Sequence, residues 1–162
     1  MTRSRLWGPK SGLILAITLA GLAADQGFKA WMLHGYEIAA RGRVAVTPFL
    51  DLVMVWNYGV SYGLFQQDGA VGRWVLVAVT LVISVVFWVW GAQGDRRLPA
   101  ISFGLVLAGA IGNGIDRVVY GAVADFFHFH VGSFSWYVFN LADVWIVAGV
   151  AGLLYDSFQK RP

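Results

Sequence analysis

The chain contains no cysteine, so disulfides, thiolate metal sites and thiol nucleophiles are all excluded by counting. Charge is scarce as well: Asp, Glu, Lys and Arg make up 13% of the 162 residues against 58% hydrophobic, and the mean hydropathy is positive. That balance lies outside the range of soluble domains. No serine stands in an evident triad setting, and there is no His-Glu-x-x-His. The formal charge of +3 is modest, and the basic residues gather at the termini and in one short loop. They indicate orientation in a membrane, with its lipids as partners, and no nucleic-acid partner. Internal repeats and low-complexity tracts are missing too, so residues 1–162 read as a single integral membrane domain.

What the chain has in abundance is long apolar sequence. Four stretches, about 11–33, 74–92, 99–117 and 138–158, are long enough to cross a hydrocarbon core about 30 Å thick, which takes roughly 20 helical residues. The expected fold class is an all-α membrane protein, a four-transmembrane-helix bundle. A small extracytoplasmic β-rich loop is expected between the first two spans. There the Val-, Leu- and aromatic-rich run 47–56 precedes Asn57, Gly59 and Gly63, and Gln66, Gln67, Asp68 and Gly69 mark the return to the membrane. Between spans three and four, Tyr120, Phe126, Phe127, Phe129, Phe134, Trp136 and Tyr137 suggest a segment lying at the lipid interface. Trp31, Trp74, Trp88, Trp90, Trp136 and Trp145 fall near span ends, as interfacial aromatics do.

Arg3, Arg5 and Lys10 precede the first span, Arg96 and Arg97 separate the second from the third, and Lys160 and Arg161 follow the fourth. By the positive-inside rule both termini and the loop with Arg96 are cytoplasmic, and the two longer loops face outward. The basic start, apolar run and small Ala23 and Ala24 resemble a cleavable secretory leader. A retained helix fits better, because apolar character resumes at Phe28, Ala30, Trp31, Met32 and Leu33.

Ionisable side chains inside a span cost about 2.5 to 3.5 kcal/mol at the helix centre, so each needs a reason. The second span has none. The first carries Asp25, Gln26 and Lys29, the third ends with Asn113, Asp116 and Arg117, and the fourth begins with Asn140 and Asp143. Spacings of three and four put members of each cluster on one helix face. With the first and third spans running outward and the fourth inward, all three clusters fall at the same, outer end, whereas the cytoplasmic halves read as almost purely apolar. The chain's three asparagines, Asn57, Asn113 and Asn140, join them or lie in the nearby loop. Such convergence marks a built site.

Polar groups also serve as interhelical glue, and the Asp25–Lys29 pair can satisfy itself. Arg117 is a natural partner for carboxylates near it, Asp116 first. Asp143 has no adjacent cation. Paired with Asp125 of the outer loop, it makes two carboxylates able to share one proton, one taking a proton from water while the other polarises a peptide carbonyl.

At these residues the chain resembles the lipoprotein signal peptidase (signal peptidase II) family over nearly its whole length. The matching motifs are Asp25-Gln26-x-x-Lys29, Asn57-x-Gly59 continuing to Tyr62-Gly63, Gly112-Asn113-x-x-Asp116-Arg117, Val123-x-Asp125-Phe126 and Phe139-Asn140-x-Ala142-Asp143. Each alone is weak; five in order on a four-span chain of this size are specific. The resemblance implies an aspartyl endopeptidase of the bacterial inner membrane, with Asp125 and Asp143 as catalytic dyad and no cofactor or metal. It implies that Asn57, Gly59, Asn113, Asp116, Arg117 and Asn140 order the site or contact substrate, supported by Asp25, Gln26 and Lys29. The implied substrate is a prolipoprotein cut just before a diacylglyceryl-modified cysteine, and the implied inhibitors are globomycin-like cyclic peptides. Val60, Ser61 and Tyr62 depart from the Ala-Ala-Phe frequent in the family, which bears on substrate preference.

Two rival readings follow from other residues. His128 and His130, two apart, could face one way on a strand and hold a metal for hydrolysis. Alternatively Asp25, Lys29, Asp116 and Asp143 could relay protons or ions through a small conducting bundle.

Overall fold

A computed structural model describes residues 6–59 and 70–159. Arg3, Arg5, Lys160 and Arg161 lie outside the described residues, as do Val60, Ser61, Tyr62, Gly63 and the turn at Gln66–Gly69. The elements run α1 (Ser11–Ala30, extended by a wider π turn, Trp31–Gly35), α2 (Ile38–Arg41), β1 (Val44–Thr47), β2 (Leu50–Asn57), α3 (Ala70–Ala92), α4 (Arg97–Val119), β3 (Val123–Val131), β4 (Phe134–Phe139) and α5 (Leu141–Phe158). Among the described residues four helices are long and apolar enough to cross a membrane: Ser11–Gly35, Val71–Ala92, Arg97–Val119 and Leu141–Phe158. The fourth starts three residues later than the apolar pattern suggests. Val138 and Phe139 belong to β4, and the Asn140 side chain caps the helix by accepting from the Asp143 backbone N–H at 3.1 Å.

The most enclosed of the four helices is α4, against which α1, α3 and α5 all pack. Glycines allow the closest approaches. A Cβ at Gly109 would collide with the Ala142 carbonyl of α5, and one at Gly112 would stand 2.5 Å from Asp25 Oδ2 of α1. The inward stripe of α1, comprising Ser11, Ile14, Thr18, Gly21, Asp25 and Lys29, recurs every three or four residues, as a helix packed along one side requires. The Thr18 hydroxyl stays satisfied there by donating to Ile14 O and Gly104 O at 2.9 and 3.2 Å.

Both long loops build one antiparallel sheet in the order β1-β2-β3-β4. The first loop supplies the expected strand. The second forms a β-hairpin, so all-α describes the spans alone. Its backbone is satisfied by pairing of β3 with β2 and β4, while Phe126 turns inward onto Met32, Ile38 and Ala124. Phe129, Phe134 and Trp136 keep the exposure that the aromatic density suggests.

Candidate active site

Each functional side chain is delivered by an element end. Asn57 closes β2 opposite Val123, which places it on the same sheet face as Asp125, two residues further along β3. Asn113 and Asp116 lie on the last turns of α4, and Asn140 and Asp143 open α5. All of these meet at one end of the bundle.

Asn140 joins the two carboxylates. Its fully buried amide donates to Asp125 Oδ1 at 2.6 Å and to Asn113 Oδ1 at 3.1 Å, and its backbone N–H donates to Asp143 Oδ2 at 3.2 Å. Asn57 Nδ2 donates to Asp125 Oδ2 at 3.1 Å, and Asn113 Nδ2 to Asp143 Oδ1 at 2.9 Å. Burial and the neighbouring Asp143 charge push the Asp125 carboxyl up to about 7, although the amide bonds from Asn57 and Asn140 oppose them. Asp143 lies in the first turn of α5, where the helix dipole favours negative charge.

Behind these groups, Lys29 spends all three ammonium protons on one site. It lies 3.0 Å from Asp25 Oδ2, 2.7 Å from Asp116 Oδ2 and 3.2 Å from Asn113 Oδ1, and is 2% exposed. Asp25 Oδ1 accepts from Ala142 N at 3.0 Å, Asp116 Oδ2 from Ala124 N at 3.2 Å, and Gln26 Nε2 donates to Asp116 Oδ1 at 3.0 Å. The expected self-satisfying pair therefore reaches further, tying the starts of α5 and β3 to α1 and α4. The expected contact of Arg117 with Asp116 is not made. Adjacent helix residues point about 100° apart, and Arg117 instead donates to Gly59 O at 2.9 Å and Asn113 O at 3.2 Å. Gly59 N in turn donates to Asn57 Oδ1 at 3.1 Å.

A cavity of about 390 Å³ opens beside this network, walled by Leu76, Val79 and Ile83 of α3 and Ile146 and Val147 of α5. Asn57, Gly59, Asn113, Arg117 and Asp143 present polar atoms to it. Asp125, 2% exposed, lies outside its lining.

The two histidines do face one way, with ring centroids 5.4 Å apart, but they face a different carboxylate. His130 Nε2 lies 2.9 Å and His128 Nδ1 3.6 Å from Asp51 Oδ2, and Arg43 Nη2 approaches the same oxygen to 2.6 Å. A guanidinium fills the cation position. Among the described residues no three His, Asp or Glu side chains are grouped to hold a metal. Asp51 and Arg43 carried no sequence signal of their own, since only strand register brings them to the histidines. Asp156 was also missed: it lies near the C-terminal end of α5, which is thus less uniformly apolar than expected.

Residues 17–159 match the family model described as Signal peptidase (SPase) II. The chain belongs to the signal peptidase II family. It is 52% identical over 157 residues to the lipoprotein signal peptidase of Nitrobacter hamburgensis, covering 94% of each chain. It is equally 52% identical over 153 residues to that of Methylorubrum extorquens strain PA1, covering 94% of this chain and 88% of the relative. Among solved structures, a bacterial membrane enzyme determined by the in meso method at 2.3 Å shares 26% identity, with a TM-score of 0.77 over 93% of this chain and 92% of that one. As a member of the signal peptidase II family, the chain is a multi-pass membrane protease that removes signal peptides from lipoprotein precursors.

Proposed function

We propose that Asp125 and Asp143 perform this cleavage as an aspartyl pair sharing one proton. The observation that carries the reading is Asn140, whose side chain holds Asp125 while its backbone holds Asp143. Asp125, raised to about 7, supplies the acid, and Asp143, at a helix N-terminus with donors on both oxygens, supplies the base.

In this mechanism Asp143 takes a proton from water as the oxygen attacks the scissile carbonyl carbon, and Asp125 gives its proton to the carbonyl oxygen. The tetrahedral diol then collapses. The C–N bond breaks as Asp143 returns its proton to the departing amine, and Asp125 recovers its own from the hydroxyl. The departing amine belongs to a cysteine carrying a diacylglyceryl group, which at about 0.8 kcal/mol per buried methylene anchors the scissile bond at the bilayer surface. Asn57, Gly59, Asn113, Arg117 and Asn140 order the pair or meet the substrate chain. Asp25, Gln26, Lys29 and Asp116 hold those elements in place. The basic residues put both termini on the cytoplasmic side and the site near the outer leaflet of a bacterial inner membrane.

Cleavage of a purified diacylglyceryl-modified precursor by reconstituted enzyme tests this. Asp125→Asn and Asp143→Asn are each expected to lower the rate by about a thousandfold or more while the protein still inserts; full activity in either rejects the pair. Globomycin-like cyclic peptides should inhibit, and strong chelators should not.

A further inference from the structure

At the far end of the bundle from the acid pair, a second cavity of about 730 Å³ lies between the same three helices. The first is walled by α3 at Leu76–Ile83, α4 at Ala110–Arg117 and α5 at Asp143–Val147. The second is walled by α3 at Trp90, α4 at Pro99 and Phe103, and α5 at Leu153 and Asp156. Along each helix the two cavities follow one another, so the same side of the bundle carries both.

The buried polar residue lining this second cavity is a carboxylate. Asp156 is 6% exposed; its Oδ2 receives Arg96 Nη1 at 2.7 Å, and its buried Oδ1 has no hydrogen-bond partner among the described residues. A buried carboxylate oxygen without a donor is costly, and a passing cation would relieve it. Asp95 lies on the same lining, which among the described residues gives two carboxylates against the single guanidinium of Arg96. The cavity therefore has room and charge for one more cation.

We propose that this cavity receives the basic N-terminal segment of the same precursor whose cleavage site occupies the acid pair, with a lysine or arginine side chain bound at Asp156. This rests on the substrate reading above. A secretory leader has a positively charged start followed by an apolar stretch of about 7 to 15 residues, which as a helix covers about 10 to 22 Å. Asp143 and Asp156 stand thirteen residues apart on α5, about 20 Å of helix rise. One leader thus spans the distance, with its apolar stretch against the side chains between the two cavities. Asp156 would select substrate and register it without touching the reacting atoms.

The test uses the full-length enzyme in phosphatidylcholine vesicles and two lipidated precursors differing only in whether the leader's lysines are replaced by glutamine. Unmodified enzyme should show a KM about fivefold lower for the lysine form at equal kcat. In Asp156→Asn the two precursors should become equivalent, and Asp156→Glu should restore the preference. An equal rise of KM for both precursors in Asp156→Asn, or no change for either, would mark Asp156 as a structural brace and overturn the proposal. So would a preference that appears only when an ethanolamine lipid is added, which would make a lipid headgroup the cation. If the unmodified enzyme cleaved neither precursor, the substrate reading would fail instead.

Discussion

Asp125 keeps its proton to about pH 7 because it is buried beside another carboxylate, and this has a sign that can be measured. In the unfolded chain the group titrates near its ordinary value, so between about pH 4 and 7 the folded protein holds a proton that the unfolded chain releases. The stability contributed by that proton is fully present below about pH 4 and is lost as pH rises through about 7. Thermal unfolding in detergent should therefore show a midpoint that falls over this window in the unmodified protein and falls less in Asp125→Asn. Cleavage should decline on the alkaline side of about pH 7 as the shared proton departs. Asn140→Ala should lower the rate at least about tenfold and weaken the start of α5 by about 1 kcal/mol, read as lost activity together with a lower unfolding midpoint. At this scale the sequence was informative about which residues matter, because polar groups in apolar spans are rare enough to stand out. It was less informative about partners. Arg117 looked like the counterion of Asp116, yet Lys29, far away in the chain on α1, holds that place.

Among the elements, α4 depends on small residues where α1 and α5 come closest. A methyl group at Gly112 would press on the carboxylate that receives Ala142 N, so Gly112→Ala should loosen α1 from α4. The expected cost is about 1 to 3 kcal/mol of stability, with activity falling alongside, measured by unfolding and cleavage on one preparation. In the sheet, burial works against ionisation of Asp51, but the hydrogen bond and charge of Arg43, with His130 and His128, outweigh it and hold the carboxyl below its ordinary range. The stability from that ionised group is present above its ordinary value and is lost as pH falls through its lower folded value. Asp51→Asn would take away the charge that Arg43 meets at 2.6 Å, and a lower unfolding midpoint at neutral pH is the outcome to look for. Helix periodicity was legible because long apolar runs admit few alternatives. The hairpin of β3 and β4 was not, since aromatic density alone does not distinguish a strand face from a surface lying on lipid.

For the whole molecule, the cluster of acids, amides and the sheet at one end and Arg96 with Asp156 at the other make orientation the main expectation still to be measured. The lack of cysteine makes this direct, because any introduced thiol is the only one present. Ser133→Cys, on the turn between β3 and β4, should react with a membrane-impermeant maleimide on intact cells, whereas Gln93→Cys, after α3, should react only once the cells are opened. The reverse pattern would invert the topology. Four spans and the gathering of five motifs were readable from one chain. The register joining Asp51 to the histidines and the pairing of Asp156 with Arg96 were not, because both arise from contacts between segments far apart in sequence. The cavity beside Asp143, walled by valine, leucine and isoleucine of α3 and α5, has one more consequence. A guest reaching it past such side chains would come sideways out of the lipid sheet, and encounter would become a search in two dimensions. Turnover in a cell would then follow how crowded the membrane is with precursor, and the severed leader would leave by drifting away in the plane.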